Sequence, residues 1–158
     1  MSVVLSESRS EFRPVLPENI PAIMAIEKSA YDFPWTEGLL SGCLKNNNVF
    51  HAIFRQEEII AYGILSCIVD ESHILNLCVS PKHQQQGFGR QMLDYLLDIA
   101  SREKSHTVFL EVRESNGEAQ RLYENNGFNQ VGERQRYYPG KDGRENAIIY
   151  AKVVSGSS

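Results

Sequence analysis

One segment, in which a strand pattern, a helix pattern and a second strand pattern follow one another, constrains the fold most. Ser72–Val79 is mainly apolar and ends before Pro81, which cannot donate to a central ladder. A helix is predicted after Gly89, and Thr107–Val112 alternates between apolar and polar positions. The apolar stripe of that helix consists of Met92, Leu93, Leu96, Leu97 and Ala100. This order predicts two parallel strands joined by a right-handed crossover.

Shorter patterns on either side complete the predicted fold. Phe12–Val15 is predicted as a strand, Pro17–Ala30 as a helix, and Thr36 as the cap of a second helix. The other predicted elements are strands at Val49–Arg55, Ile59–Val69, Phe128–Tyr137 and Asn146–Val153, a helix at Gly117–Asn126 stopped by Gly127, and a loop from Pro139 to Gly143. The hairpins are antiparallel. The sequence therefore predicts an α/β fold with a mixed, mostly antiparallel central sheet, one parallel strand pair and helices on both faces.

Size and charge narrow the classes of function. A chain of 158 residues suits one domain, 1–158, with flexible ends at about 1–10 and 155–158. The net charge of −4 argues against nucleic acid as a main ligand, since phosphate binding usually leaves a basic footprint. No apolar run approaches the length of about 20 residues that spans a bilayer, so no membrane partner is expected. The acidic residues interpreted as solvated surface are Glu27, Asp32, Glu37, Asp70 and Glu71.

The cysteines and histidines indicate the compartment and the absence of a metal site. Cys43, Cys67 and Cys78 are odd in number and lie in apolar or helical contexts, where a free cysteine behaves as a small hydrophobic residue. The N-terminus lacks the pattern of a secretory signal. The four histidines show no metal-ligand spacing. We therefore expect a cytoplasmic protein without a metal, and the oligomeric state stays open.

The loop before the predicted crossover helix is suited to binding an anion. It consists of Gln84, Gln85, Gln86, Gly87, Phe88 and Gly89, and Arg90 follows. Helix N-termini carry unpaired N–H groups and a partial positive charge, and glycines let a backbone approach a ligand closely. On spacing alone, however, glycines that serve only the turn are the better explanation. The loop lacks the Gly-Lys-Ser/Thr of a P-loop and the third glycine of a dinucleotide fingerprint.

The surrounding motifs supply a more specific interpretation. Five motifs resemble, in order and spacing, the core of the GNAT acetyltransferases. They are Gln84-x-x-Gly87-x-Gly89, Leu110–Arg113, Ser115-Asn116, Ala119–Glu124 and Gly127-Phe128. The resemblance covers about Glu11–Lys152 and implies the GNAT fold and acetyl-CoA as co-substrate. The contacts it implies for that co-substrate are the loop residues Gln84, Gln85, Gln86, Gly87, Phe88, Gly89 and Arg90, the backbone of Leu77, Cys78 and Val79, and Asn116.

Other stretches resemble one branch of that family. Four stretches are similar to the RimI branch: Phe33–Glu37, Leu110–Asn116, Tyr137–Pro139 and Asp142–Ile149. The resemblance implies transfer of an acetyl group to a protein N-terminus, the N-terminal alanine of the small-subunit ribosomal protein numbered eighteen. Two alternatives stay open: an acetyltransferase for a small amine or a lysine side chain, and a non-catalytic acyl-CoA-binding module.

The resemblance also implies roles for single residues. Glu111 would be the general base, although an exposed carboxylate at a strand end is the plain alternative. Tyr123 would be the general acid that protonates the leaving thiolate, although its ring also suits core packing. Asn116 either caps the following helix or contacts the cofactor. The residues proposed for the acceptor are Trp35, Tyr137, Tyr138 and Arg144, and Trp35 alternatively anchors the two N-terminal helices.

Overall fold

The computed structural model describes residues 9–154, which form seven strands and four α-helices. The strands are β1 Ser10–Pro14, β2 Val49–Arg55, β3 Glu58–Ile68, β4 Glu71–Val79, β5 Thr107–Arg113, β6 Asn129–Gly140 and β7 Gly143–Val153. The helices are α1 Ile20–Ala30, α2 Glu37–Lys45, α3 Phe88–Arg102 and α4 Gly117–Asn125, with single 3-10 turns at Pro17–Asn19 and Pro81–His83. The predicted flexible ends lie outside the described residues, except that Ser10 already belongs to β1.

The strands form one mixed sheet in the order β1-β2-β3-β4-β5-β7-β6. β4 and β5 run parallel, with Glu71–Ile74 in register with Thr107–Leu110. The pairs β1–β2, β2–β3, β5–β7 and β6–β7 are antiparallel. The predicted element order and the mostly antiparallel sheet with one parallel pair are therefore confirmed.

The chain divides into two compact units, and the first comprises residues 9–65 and 76–96 of the described range. Its core is formed by buried residues of α1, α2, β2 and β3, together with Val15 and Cys78. α1 begins at Ile20, three residues after the predicted Pro17, because Pro17–Asn19 forms the 3-10 turn. The predicted cap of α2 is confirmed, since Leu39 N donates to Thr36 Oγ1 at 3.2 Å.

α3 follows the predicted amphipathic pattern. All five residues of its stripe are buried, and four of them are fully excluded from solvent. The helix begins at Phe88, so Phe88 and Gly89 lie in its first turn and not in the loop before it. Gly63 on β3 allows this helix to pack closely, because a Cβ there would lie 2.7 Å from Leu96 Cδ1.

The second unit comprises residues 66–75 and 97–154 of the described range. β5 alternates as predicted, with Val108, Leu110 and Val112 buried and Glu111 half-buried. The predicted loop from Pro139 to Gly143 is wrong in its length. β6 continues to Gly140 and β7 begins at Gly143, so that only Lys141 and Asp142 lie between the two strands, and Gly143 directly after them adopts a φ of +113°.

The cysteine prediction holds for two of the three residues. Cys43 and Cys78 are buried, but Cys67 is exposed near the end of β3. Across residues 9–154, no helix combines the length and apolar character required to cross a membrane. In the same range, no group of three or more His, Cys, Asp or Glu side chains is placed to hold a metal ion.

Candidate active site

The glycine loop precedes α3 in the first unit and has a defined backbone geometry. Gln84 Nε2 donates to Val79 O at 3.2 Å, which ties the start of the loop to the end of β4. Gln85 and Gly87 both have left-handed φ values, +63° and +86°. A Cβ built on Gly87 would meet no heavy atom within 4 Å, so the space in front of this residue is open.

The loop residues present donors that suit an anion, and their contact with coenzyme A stays a prediction. Gln84–Gly87 are exposed, and the first N–H groups of α3 have no intrahelical carbonyl to bind. The buried ring of Phe88 packs edge-on against His83 and fixes the start of the helix. Arg90 pairs with Asp94 at 3.8 Å, but both side chains are largely exposed, and such a pair is weak. Its positive charge can therefore turn toward an anion.

The end of β4 offers backbone groups for binding, and its cysteine side chain is not reactive. Cys78 is 3% exposed, and burial raises the pKa of its thiol to about 11. The thiol is thus protonated at neutral pH and suits packing, not reaction. The carbonyls of Leu77 and Val79 already accept hydrogen bonds, from Tyr31 Oη at 3.2 Å and from Gln84. The role of Leu77–Val79 along the pantetheine arm stays a prediction.

The sequence reasoning did not identify Glu27 of α1 as a buried residue that binds several parts of the first unit. The interpretation as a solvated acid is wrong, since Glu27 is only 1% exposed. Its carboxylate accepts hydrogen bonds from the Tyr62 hydroxyl at 2.5 Å, Asn76 Nδ2 at 3.1 Å and Trp35 N at 2.8 Å. The signal was present, because Glu27 stands at helical spacing from the buried Ile20 and Ile23.

Trp35, proposed for the acceptor, follows α1 and packs on the first unit's core. Its side chain is half-buried against that core, and its backbone N–H is held by Glu27. This packing favours the anchoring explanation for the ring. A contact with the acceptor stays a prediction.

Glu111, the proposed base, is half-buried on β5 of the second unit. Its side chain is 28% exposed, and Oε2 lies 3.1 Å from Nε of Arg134 on β6. Tyr138 lies within electrostatic range, since burial first and the charge of Glu111 second raise the pKa of its phenol to about 12. The phenol is thus a neutral hydrogen-bond donor at physiological pH. Arg134, which sequence reasoning did not identify, thus forms an ion pair with Glu111, although Oε2 has no hydrogen-bond partner among the described residues.

Tyr123 and Asn116 lie on and before α4 of the same unit. Tyr123 is 6% exposed, and its ring packs against Phe128 and Tyr150 at centroid distances of 5.6 and 6.4 Å. Core packing of the ring is therefore observed. Asn116 Oδ1 accepts from Ala119 N at 3.1 Å, which confirms the capping alternative. A contact from Asn116 to the cofactor stays a prediction.

Tyr137, Tyr138 and Arg144 meet at an irregularity in the β6–β7 hairpin. The register shifts between Arg134 and Tyr138, and Arg136 has a φ of +52°. Arg144 donates to the carbonyls of Arg136 and Tyr137, both at 2.8 Å. Asn146 Oδ1 accepts from Arg136 N at 2.9 Å. Arg144 thus holds the bulged backbone that carries Tyr137, and its contact with the acceptor stays a prediction.

Comparison with known proteins decides the family. The model of the Acetyltransferase (GNAT) family matches residues 9–128. The chain belongs to the GNAT acetyltransferase family. The predicted GNAT resemblance is therefore confirmed.

Relatives within the GNAT family carry a more specific name. The chain is 37% identical over 137 residues to the [Ribosomal protein bS18]-alanine N-acetyltransferase of Escherichia coli K12, covering 87% of this chain and 93% of the relative. It is also 37% identical to the protein of the same name from Haemophilus ducreyi, with coverages of 87% and 95%. The crystal structure of the ribosomal-protein-S18-alanine N-acetyltransferase from E. coli matches with a TM-score of 0.89 and 34% identity, over 95% of this chain and 97% of that one.

A more distant neighbour supports the GNAT fold alone. The crystal structure of Ard1 from Thermoplasma volcanium has a TM-score of 0.84 at 23% identity and covers 92% of this chain. The similarity to the RimI branch that the sequence indicated is confirmed by the relatives named above.

Proposed function

We propose that this protein transfers the acetyl group of acetyl-CoA to the N-terminal alanine of ribosomal protein bS18. The observation that carries the proposal is the near full-length similarity to the E. coli enzyme of that name, at 37% identity and with a TM-score of 0.89. The acceptor is ribosomal, so we place the reaction in the cytoplasm. We treat residues 1–158 as a single acetyltransferase domain.

The segment Gln84–Arg90, which comprises the loop Gln84–Gly87 and the first turn of α3, would hold the donor. Acetyl-CoA supplies an activated acetyl group as a thioester. The open space before Gly87 and the N–H groups of the first turn of α3 favour a pyrophosphate there. The backbone of Leu77, Cys78 and Val79 would align the pantetheine arm as an added strand does.

Glu111 would accept the proton of the acceptor amine. An α-amine has a pKa of about 7.7–8.0, so most of it is protonated and non-nucleophilic near neutral pH. The Glu111 carboxylate would take one proton from the ammonium, directly or through one water, and the neutral nitrogen would then attack the acetyl carbonyl. Oε2 lies 3.1 Å from Arg134 Nε in an ion pair and has no hydrogen-bond partner among the described residues, which leaves the carboxylate able to receive the proton.

Tyr123 would complete the proton balance. The C–N bond forms as the C–S bond breaks, and the departing sulfur takes the proton of the Tyr123 hydroxyl. The nitrogen would lose its second proton as the amide forms, which restores the proton on Tyr123, and Glu111 would release the first proton to solvent. The packing of the Tyr123 ring against Phe128 and Tyr150 would hold the hydroxyl in one position.

The acceptor would be recognised by aromatic residues and the β6–β7 hairpin. Tyr138 is a neutral phenol that can donate to a peptide carbonyl, and the exposed Tyr137 ring lies 4.9 Å from it. Arg144 supports this region through the backbone. A contact of Trp35 with the acceptor stays a prediction.

A panel of acceptors tests the proposal. The protein is mixed with acetyl-CoA and with a peptide that bears the bS18 N-terminus, the same peptide with a blocked α-amine, a lysine peptide or a polyamine, and free CoA is measured. We expect CoA release with the open bS18 N-terminus and none above background with the blocked peptide. Release only with the lysine peptide or polyamine would reassign the acceptor. No release in any sample despite tight acetyl-CoA binding would favour a non-catalytic binding module.

The pH profile of Glu111→Gln tests the base. Because the fraction of neutral amine falls below pH 8, removal of a base should lower the rate most at low pH and least at high pH. Glu118→Gln, an exposed acid in the first turn of α4, is the matched control and should keep the wild-type profile. A uniform loss across the pH range would contradict the role of Glu111 as base.

A further inference from the structure

Glu27 is a buried carboxylate whose partners come from three separate parts of the first unit. Its residue is 1% exposed and lies in the third turn of α1. Oε1 accepts from Tyr62 on β3 and from Asn76 on β4, while Oε2 accepts from the backbone N–H of Trp35. One oxygen therefore anchors the side chain to the sheet, and the other holds the segment that joins α1 and α2.

Burial of this group is costly, and its partners are neutral donors. A buried carboxylate loses its hydration, and hydrogen bonds must replace it. Burial first, together with the neighbouring acidic groups Cys78 and Glu27, raises the pKa of Tyr62 above its ordinary range, so its phenol stays a donor. An apolar side chain of similar volume usually stabilises a core as well or better than a buried ionic group. Stability alone therefore does not explain a carboxylate at this position.

The positions of the partners indicate what the carboxylate holds. Trp35 follows Phe33 and Pro34 between α1 and α2, and Thr36 starts α2. Asn76 directly precedes Leu77, whose carbonyl accepts from Tyr31 at the end of α1. The hydrogen bond from Trp35 N is made to a charged acceptor, which makes it stronger than a neutral one. The Glu27 carboxylate thus fixes the Trp35 segment relative to β3 and β4.

We infer that Glu27 is a positioning residue that fixes the Trp35 segment for binding of the acceptor peptide. The inference rests on the proposed function, because it assigns the Trp35 segment to the acceptor. Glu27 itself touches neither substrate in this account. It acts through the backbone of Trp35, and its loss weakens acceptor binding more than donor binding.

Intrinsic fluorescence gives a test that does not depend on activity. Trp35 is the single tryptophan of the chain, so its emission reports on this segment alone. In Glu27→Gln the side chain presents an amide N–H where it must accept, so at least one of the three donors loses its partner. We expect red-shifted emission and stronger acrylamide quenching in the folded variant. Glu37→Gln, an exposed acid in the first turn of α2, is the matched control and should match the wild type.

Kinetics give the second readout. Loss of a hydrogen bond to a charged group predicts a rise of about tenfold or more in KM for the bS18 peptide. The KM of Glu27→Gln for acetyl-CoA should stay at the wild-type value. The Glu37→Gln control should keep the wild-type KM values and melting profile. If Glu27→Gln does not fold, Tyr62→Phe serves instead, because it keeps the ring and removes only the hydroxyl that braces Oε1. The same shifts in emission and peptide KM, of smaller size, are then expected.

The outcomes separate this inference from the proposed function. Unchanged Trp35 emission and peptide KM in a folded Glu27→Gln protein would overturn the inference while the acetyltransferase activity stands. An equal rise in KM for acetyl-CoA and peptide would also overturn it, since the role would then be general. If the wild-type protein acetylates none of the acceptors, the proposed function fails, and the acceptor role of Glu27 fails with it.

Discussion

Replacement of Gly87 by alanine strains the backbone of the loop proposed to bind acetyl-CoA without creating a steric clash. Gly87 has a φ of +86°, and a Cβ there would meet no heavy atom within 4 Å. The added methyl therefore brings no clash, and the cost is the backbone strain of a left-handed alanine, about 1–2 kcal/mol. The free protein can relieve this strain by shifting the loop to another conformation.

Binding of acetyl-CoA would reverse that relief. If the pyrophosphate requires the left-handed backbone at Gly87, the variant must restore the strained conformation when it binds. A cost of about 1–2 kcal/mol corresponds to an affinity about 5–30-fold weaker, since each 1.4 kcal/mol is a factor of ten. Isothermal titration calorimetry with acetyl-CoA measures this change, and urea unfolding measures any loss in the free energy of unfolding.

Gly127→Ala is the matched control. Gly127 has a φ of +89° after α4, and the atoms nearest to its Cβ would be those of the Lys152 side chain, with Nζ at 3.2 Å. The control therefore carries similar strain, and we expect a similar loss of stability with an unchanged Kd for acetyl-CoA. A folded Gly87→Ala protein that binds acetyl-CoA as tightly as the wild type would refute the assignment of this loop to the donor.

Three further outcomes are expected. Tyr123→Phe should lower kcat by about 100-fold or more, as loss of a general acid does, with an unchanged Kd for acetyl-CoA measured by calorimetry. Because burial raises the pKa of Cys78 to about 11, its thiol should resist alkylation by iodoacetamide at pH 8, while the exposed Cys67 reacts, as peptide mass spectrometry will show. Gly63→Ala should lower the free energy of unfolding by about 1–3 kcal/mol in urea titrations, because its methyl would lie 2.7 Å from Leu96.

Elements with a regular period could be predicted from the sequence. The apolar stripe of α3 and the alternation of β5 depend on neighbours a few residues apart, and both are confirmed by burial. The parallel β4–β5 pair followed from the order of elements and from the preferred handedness of crossovers. The cap at Thr36 followed from local side-chain chemistry in the same way.

Contacts between distant parts of the chain could not be predicted from such local patterns. Glutamate is usually a surface residue. The burial of Glu27 depends on hydrogen bonds from Tyr62 and Asn76, which lie 35 and 49 residues away in the sequence. The ion pair of Glu111 with Arg134 likewise depends on where β6 lies. Such partners are set by the tertiary fold, so charge alone gives the wrong environment.

The β6–β7 hairpin shows a third kind of difference. Proline and glycine at Pro139 and Gly140 indicate a loop by their composition, yet both belong to β6. The chain tolerates them there because β6 is the last strand of the sheet, and an edge strand can accommodate a proline. The hairpin therefore extends further than its sequence indicates.

Mass spectrometry of purified bS18 tests the central claim most directly. The unmodified protein is incubated with this protein and acetyl-CoA, and its intact mass and N-terminal peptide are then compared with a sample that lacks the enzyme. We expect one acetyl group to be added, on the α-amine of the N-terminal alanine. An N-terminus that stays free while the enzyme is folded and binds acetyl-CoA, or acetyl groups found only on lysine side chains, would contradict it.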